Sequence, residues 1–487
     1  MLETLIKKEI IETILDLRFV IATLLCVVLI PLGTYISRKD YEKRLTDYHR
    51  TTQMYRQSST KRLKPFDFSL VMEGYRPPSP LSIFACGIEP FMPDKVLTSR
   101  SGFFRAAKES SIENPQSLLF GKVDLLFNVG FVMSLAALIF TFSSISGEKE
   151  SGTLRLMIAN AIPRGQVLLG KVLGKYATLL IPFIISVLIA LIILNASPVV
   201  SIASSQVYLS FLVILLVTFL YILVMISLGV LISTLTHKSI TSNVVALLFW
   251  VVFIIAVPKI SPMIAEIVYP IESRNIVDIR MRVVKEDIIG ELEQRKLQLS
   301  DAAMSKFGLS GLGSTVFDFQ EAPQGIKAKA WYDSEVTALG DEYEKRIANE
   351  LRKIEQDYRN KTNVQTSITM SLSRISPASC YTYLICELSG TGVMERDNFM
   401  DNARRFQEKA RKTIYDKFEV ETLGDRTSVG VTGELAKSKV SPPEMDYLHT
   451  NLTEVLQAEW LDILLLFLFN ILFFVASFLG FNKYDVR

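Results

Sequence analysis

The chain has 487 residues, of which 49% are hydrophobic and 21% charged, and its net charge is +3. That near balance offers nothing to attract nucleic acid, and four cysteines are too few for a disulfide framework. A positive mean hydropathy beside so many charges is the composition of a membrane protein with a substantial polar portion.

Residues 1–17 place Leu2, Ile6, Ile10 and Ile14 at helical spacing, with Glu3, Lys7, Lys8 and Glu12 on another face. This predicts an amphipathic helix lying along the membrane. Phe19–Ile36 is the first apolar run long enough to span. It reads as an uncleaved anchor, because the stretch before it is long and mixed in charge and no small-x-small site follows. Residues 37–123 are polar, and the proline-rich part from Arg76 to Ser82 is extended or turning. Four more spans follow: Asp124–Ser143, Val172–Leu194, Val207–Ser233 and Ile240–Val257, the last ended by Pro258.

Residues 259–459 form a second, larger polar region that reads mostly helical. Val336, Leu339, Tyr343, Ile347, Leu351, Ile354 and Tyr358 recur at three- and four-residue steps, the mark of a long helix packed along one seam. Ile276–Leu299 and Met394–Phe418 are two further helices, and residues 308–313 and 428–443 are loops. Arg374–Gly392 is apolar but interrupted by Pro377 and Glu387, so it is a re-entrant or interfacial element and not a seventh span. Trp460–Phe481 is the sixth span.

Catalytic chemistry is not visible. His49, His237 and His449 are scattered, no His/Cys/Asp cluster has metal spacing, and neither G-x-S-x-G nor H-E-x-x-H occurs. Gly165–Val172 fits G-x-x-x-x-G-K, but Val172 stands where a phosphate loop needs Ser or Thr, and the next helix enters the membrane. Asp124 and Asp462 fall at span ends, where solvated or capping roles suit them. Asn128 and Asn470 lie deeper and read as helix–helix hydrogen bonds, with a place in a substrate path as the alternative.

The most patterned stretch is the loop between the second and third spans, residues 144–171, SISGEKESGTLRLMIANAIPRGQVLLGK. A charged start, a short amphipathic run and a proline stop predict a helix at the membrane surface. The stretch resembles the coupling segment of ABC-2 type exporter permeases, a Glu followed by Gly-Thr-Leu, then Pro-Arg, then Gly-Lys; Glu148, Gly152, Thr153, Leu154, Pro163, Arg164, Gly170 and Lys171 carry the match. Where that family often has an acid just before the motif, this chain has Ser143. PPSPLSIFACGIEP at 77–90, the Ser-Pro to Gly-Thr-Gly stretch at 376–392 and the terminal NKYDVR resemble a subgroup with large extracytoplasmic insertions.

The resemblance implies an all-α polytopic membrane protein: six transmembrane helices with a mostly helical extracytoplasmic domain built from two insertions. Residues 1–36 are then an amphipathic helix and the first span, and 37–123 the first extracytoplasmic region. Residues 124–258 hold spans two to five with the cytoplasmic coupling segment 144–171. Residues 259–459 are the second extracytoplasmic region, and 460–487 the sixth span and a cytoplasmic tail. Charge alone leaves orientation open: Lys7, Lys8 and Arg18 favour an inside N-terminus, while Arg38, Lys39, Lys43 and Arg44 follow the first span. The resemblance places both termini in the cytoplasm and the chain in a bacterial-type inner membrane.

The implied function is the permease subunit of an ATP-driven exporter. A separate ATPase subunit would dock on Glu148, Gly152, Thr153, Leu154, Leu156, Met157, Pro163, Arg164 and Lys171. The chain itself would be no enzyme and hold no cofactor, ATP and magnesium belonging to the ATPase. Its partners would be that ATPase, a second permease copy or a homologous one, the lipid bilayer and an extracytoplasmic protein. The alternative is a mechanical transducer that works on the extracytoplasmic protein while no solute crosses. A membrane-bound hydrolase is disfavoured by the missing nucleophile and metal motifs. An oxidising exterior also permits a disulfide from Cys86 to Cys380 or Cys386.

Overall fold

The computed structural model describes residues 2–62, 71–99, 104–108, 121–154, 157, 163–196, 205–309, 323–422 and 443–483. Among them are six helical stretches long and apolar enough to cross a membrane: Leu17–Gln57, Leu125–Ser151, Arg164–Asn195, Ser205–Leu235, Ser239–Val268 and Trp460–Asn482. Lipid offers backbone groups no partner, so an apolar run of this length can only be a helix. The chain divides into two compact units, Met1–Ser261 with Ser371–Arg487, and Pro262–Met370.

In the first unit, helix α1 (Leu2–Ile14) precedes α2 (Leu17–Arg62). The first span was expected to stop near Ile36, yet α2 runs 46 residues. Its second half contains neither Gly nor Pro, and Arg38–Glu42 at 2.9 Å and Asp40–Arg44 at 3.0 Å are i,i+4 pairs that carry the helix on past the apolar run. At ~1.5 Å per residue the helix is about twice as long as the hydrocarbon layer is thick.

The second span starts as α3 (Leu125–Phe127), widens into a π-turn at Asn128–Met133 and continues as α4 (Ser134–Thr141). Asp124 caps it, accepting from Phe127 N at 2.8 Å and from Cys86 N at 2.8 Å. Then come α5 (Ser146–Ser151), α6 (Arg164–Asn195) and α7 (Ser205–Leu235). The fifth span is α8 (Ser239–Trp250), a second π-turn at Val251–Ala256, and α9 (Val257–Val268). Pro258, expected to end this span, does not. The carbonyl it would leave unserved, four residues back at Ile254, lies in the wide π-turn, where the ladder is already shifted.

Pro262–Met370 contains α10 (Arg274–Lys306) and most of α11 (Pro323–Ser373). The two run antiparallel, tied by Arg274–Glu355 at 2.8 Å and Arg346–Glu291 at 2.5 Å. Ala303, Met304, Ala328 and Tyr332 close the tip. The predicted seam from Val336 to Tyr358 is half-buried along its length. Loop residues 310–313 and 428–442 lie outside the described residues.

The two polar regions were expected to make one composite, mostly helical domain. Pro262–Met370 is one compact unit, and the part from Ser371 onward belongs with the first polar region in the other. The first region carries strands as well as helix. Strands β1 (Val71–Tyr75), β2 (Lys95–Ser99) and β3 (Phe104–Ala107) form an antiparallel sheet, with Val71 opposite Ser99 and Lys95 opposite Ala107.

α12 (Pro377–Leu388) and α13 (Val393–Thr422) follow, then α14 (Leu452–Ala458) and α15 (Trp460–Asn482). Phe399 and Phe406 of α13 pack on Met72 and Val96 of the sheet. At the start of α13, Glu395 is fully buried and accepts from Tyr447 Oη at 2.6 Å, His449 Nδ1 at 2.7 Å and Thr450 Oγ1 at 2.8 Å. Burial alone would raise this carboxyl, but those donors outweigh it and hold it down at about 2. Cys26, Cys86, Cys380 and Cys386 are all free thiols, and no bridge joins Cys86 to either of the others. Asn470 acts between helices, donating to Leu220 O at 3.3 Å, and Asn128 donates to Leu29 O of α2 at 3.5 Å as well as to Asp124 O at 2.8 Å within its own span.

Candidate functional site

Six alternating spans bring α1, the end of the second span, the starts of the third and fifth, and the ends of the fourth and sixth to one end of the bundle. The described residues of the loop, 144–154, 157 and 163–171, sit among them and are tied to their neighbours by short-range polar contacts. Ile145 N and Ser146 N both donate to Ser233 Oγ, at 2.9 and 3.0 Å, which satisfies the opening of α5. Lys149 Nζ donates to the carbonyls of Thr234 and Thr236 at the end of α7. Glu150 Oε2 accepts from Ser239 N at 3.0 Å, at the start of α8. Arg164 donates to Phe481 O at 3.0 Å and Asn482 O at 2.8 Å, at the end of α15. Ser143 accepts from Arg18 at 3.4 Å, and the same guanidinium lies 4.8 Å above the Phe142 ring.

The centre of this end is Lys171. Its side chain is 3% exposed and its ammonium donates to Glu9 Oε1 and Glu148 Oε1, both at 2.8 Å. Lys175, one helical turn on, reaches Glu9 Oε2 at 3.4 Å and Thr13 Oγ1 at 2.8 Å. Two acids and two lysines therefore bind three separate helices, α1, α5 and α6, in one buried network. Burial would raise the Glu9 carboxyl, but the Lys171 and Lys175 ammonium groups outweigh it and hold it below the usual range. The helices come this close because α6 has no side chain at Gly174: a Cβ there would sit 2.6 Å from Glu9 Cβ.

The structure separates the nine residues read as docking positions. Lys171 is inside, bound to its own chain, so its ammonium is not offered to a partner. Leu154 is fully buried and joins the bundle core, and Met157 packs partly against it. Glu148 faces Lys171. Thr153 and Pro163 are exposed, and Arg164 holds the end of α15. Leu156 lies outside the described residues. Gly152 closes α5 at φ +73°, the left-handed region that favours glycine, and among the described residues of this chain a Cβ there would touch nothing within 4 Å. Among the described residues of the loop before α6, the exposed ones are Glu150, Ser151, Gly152, Thr153 and Pro163, which make its outward tip.

Sequence reasoning missed Glu9 and Lys175, along with the hydroxyl of Ser233. Gly170 and Gly174 at a four-residue spacing, each followed by a lysine, were the available signal for a helix packed on α6. The G-x-x-x-x-G-K match at 165–171 lies wholly inside α6, a continuous helix and not the glycine-rich loop that wraps a phosphate.

A multi-pass helical bundle with an inter-span loop bound to the helix ends around it has the architecture of a transporter's membrane subunit. The ABC-2 family transporter model matches residues 4–486, and the chain belongs to that family. Two relatives are described as probable ABC transporter permease protein NosY. The one from Pseudomonas aeruginosa is 50% identical over 44 residues, and the one from Stutzerimonas stutzeri 48% over 44 residues. Each match covers 9% of this chain and 16% of the relative.

Proposed function

We propose that the chain is the permease subunit of an ATP-driven exporter, paired with a second permease copy. A separate ATPase, holding ATP and magnesium, docks on the tip formed by Glu150–Thr153 and Pro163. The observation that carries this reading is the buried Glu9–Lys171–Glu148 network. A push on the tip meets a loop that cannot yield by itself, because Lys171 ties it to α1 and α6. The ATPase supplies the chemistry, and this chain converts its closure into movement of the spans. In this reading the Lys171 end faces the cytoplasm of a bacterial-type inner membrane, with both termini inside. A mechanical role without solute transfer is favoured by one observation, the separate helical unit Pro262–Met370, which a bare conduit does not need.

Thr153 is exposed and takes no part in the Glu9–Lys171–Glu148 contacts, so Thr153→Trp alters the tip while leaving the network intact. It is expected to reduce co-purification of the ATPase by about tenfold, equivalent to ~1.4 kcal/mol, without changing the amount of inserted permease. Undiminished co-purification removes the tip from the interface.

Orientation is checked with single cysteines, Ser151→Cys and Phe91→Cys, in a cysteine-free chain. Both sites are exposed. In intact cells an impermeant thiol reagent is expected to label position 91, and to label position 151 only after permeabilisation. Equal labelling of both before permeabilisation contradicts the orientation.

A further inference from the structure

We infer that α12 is the post that carries movement of the spans to the sheet, with Tyr381 as its contact on the span side and Thr391 on the sheet side; this rests on the coupling reading above. α12 is short, and nine of its twelve residues are buried, so it is no surface helix. It is wedged into the bundle at the point where both irregular spans meet.

On the span side, the Tyr381 ring stacks on Tyr221 of α7 with centroids 4.4 Å apart and planes 14° apart, and its hydroxyl lies 3.2 Å from Thr218 Oγ1. Tyr221 Oη in turn donates to Gly130 O at 3.4 Å, a carbonyl within the π-turn of the second span. Ser376, the cap of α12, donates to Phe253 O at 2.5 Å, within the π-turn of the fifth. Trp250 Nε1 donates to Ser134 Oγ at 3.0 Å and joins the two spans directly. A π-turn offsets the hydrogen-bond ladder and leaves carbonyls for other donors, and such turns occur where helices shift. α12 is thus anchored to the parts of the spans whose backbone can change register most cheaply.

On the sheet side the connection is equally short. Thr391 Oγ1 donates to Ala85 O at 3.1 Å, and Ile88 N donates to Thr391 O at 3.0 Å. Ser79 Oγ donates to Ser389 O at 2.7 Å. The Glu387 carboxylate accepts from Met394 N at 3.1 and 3.2 Å, which fixes α13, and with it the sheet packed on Phe399 and Phe406, to the end of α12. Only residues 389–392 separate the two helices, and hydrogen bonds hold that link at both ends. A displacement of α7 at Tyr221 therefore reaches the sheet through one rigid body.

The test uses the full permease with its ATPase in lipid nanodiscs, carrying spin labels at Arg105 of β3 and at Ile192 of α6, which lies outside the α7–α12–sheet body, both exposed. In the parent, the distance between the labels is expected to shift between the nucleotide-free state and an ATP-trapped state. Tyr381→Leu and Thr391→Val are expected to abolish the shift while ATPase docking and basal hydrolysis persist. Tyr381→Phe, which keeps the stacked ring, is expected to retain it. If Tyr381→Leu fails to insert, Thr391→Val and Tyr381→Phe decide. An undiminished shift in Thr391→Val overturns the inference and assigns the transmission to α2, whose Tyr55 hydroxyl accepts from Glu73 N at 3.0 Å. A parent that hydrolyses ATP normally with no shift also overturns it. A parent that fails to bind the ATPase tells against the docking reading instead.

Discussion

Replacing Lys171 with methionine is expected to uncouple the subunit: α1 loosens from α6, and ATPase activity dependent on the permease falls to that of the ATPase alone. The size follows from burial. Lys171 is 3% exposed and Glu9 is 5% exposed at the side chain, so removing the cation leaves Glu9 and Glu148 close together with only Lys175 for compensation. Breaking a buried ion network by removing one member costs about 3–5 kcal/mol, because the remaining charges stay unsolvated. The spans should still insert, since their helices are held by lipid and by packing far from Lys171. The variant Lys171→Met with Glu9→Gln and Glu148→Gln removes the stranded charges and should recover stability measured by thermal melting in detergent. Coupling recovers with it only if the network acts through packing alone; if charge pairing sets the geometry, coupling stays lost. Full permease-dependent ATPase activity in Lys171→Met would show that the clamp transmits nothing.

The second large effect lies at the opposite end of the bundle. Arg374 grips Asp462 with two parallel bonds, Nε to Oδ1 and a terminal nitrogen to Oδ2, each 2.8 Å, and also reaches Glu459 at 3.3 Å. Asp462 is fully buried in the first turn of α15, so Arg374→Met strands a carboxylate where no water can reach it. A loss of about 3–5 kcal/mol is expected, read as a lowered melting temperature and reduced yield. Arg374→Lys keeps the charge but not the planar fork and should fall between the two.

The same cluster sets a pH dependence. Burial first, and the Asp462 carboxylate beside it second, push Glu459 up to about 8. Between its ordinary value of 4.5 and about 8, the folded chain holds a proton that the unfolded chain has released. Stability therefore falls as pH rises through that window and levels off above it. Glu459→Gln, uncharged throughout, should flatten the slope of melting temperature against pH; an unchanged slope would place the titrating group elsewhere.

Some of this was legible without coordinates, and for a physical reason. In hydrocarbon a backbone has no external partner, so length and apolarity alone specify the six spans, and Pro377 with Glu387 suffices to keep α12 from being a seventh. The amphipathic α1 and the long seam of α11 follow from the helical period in the same local way. The loop at 144–171 could be singled out because its glycine, proline and charge spacings are a local pattern.

What only the tertiary structure decided depends on contacts between distant segments. Lys171 was read as a docking residue of the coupling segment, but its partners Glu9 and Glu148 lie 162 and 23 positions away, and no local period links them. Pro258 looked like a stop because a proline's cost is judged against a regular ladder, and the π-turn that alters the ladder is set by packing on Ser134 and Ser376. The strands of the sheet are four or five residues long and acquire their stability from α13, some 300 residues further on, so their own sequence carries too little signal to announce them. The division of the second polar region is of the same kind. Residues 259–459 read as one mostly helical polar region in sequence, and which part joins the first region is settled by the buried contacts of Thr391 with Ala85 and of Ser389 with Ser79, which no composition shows.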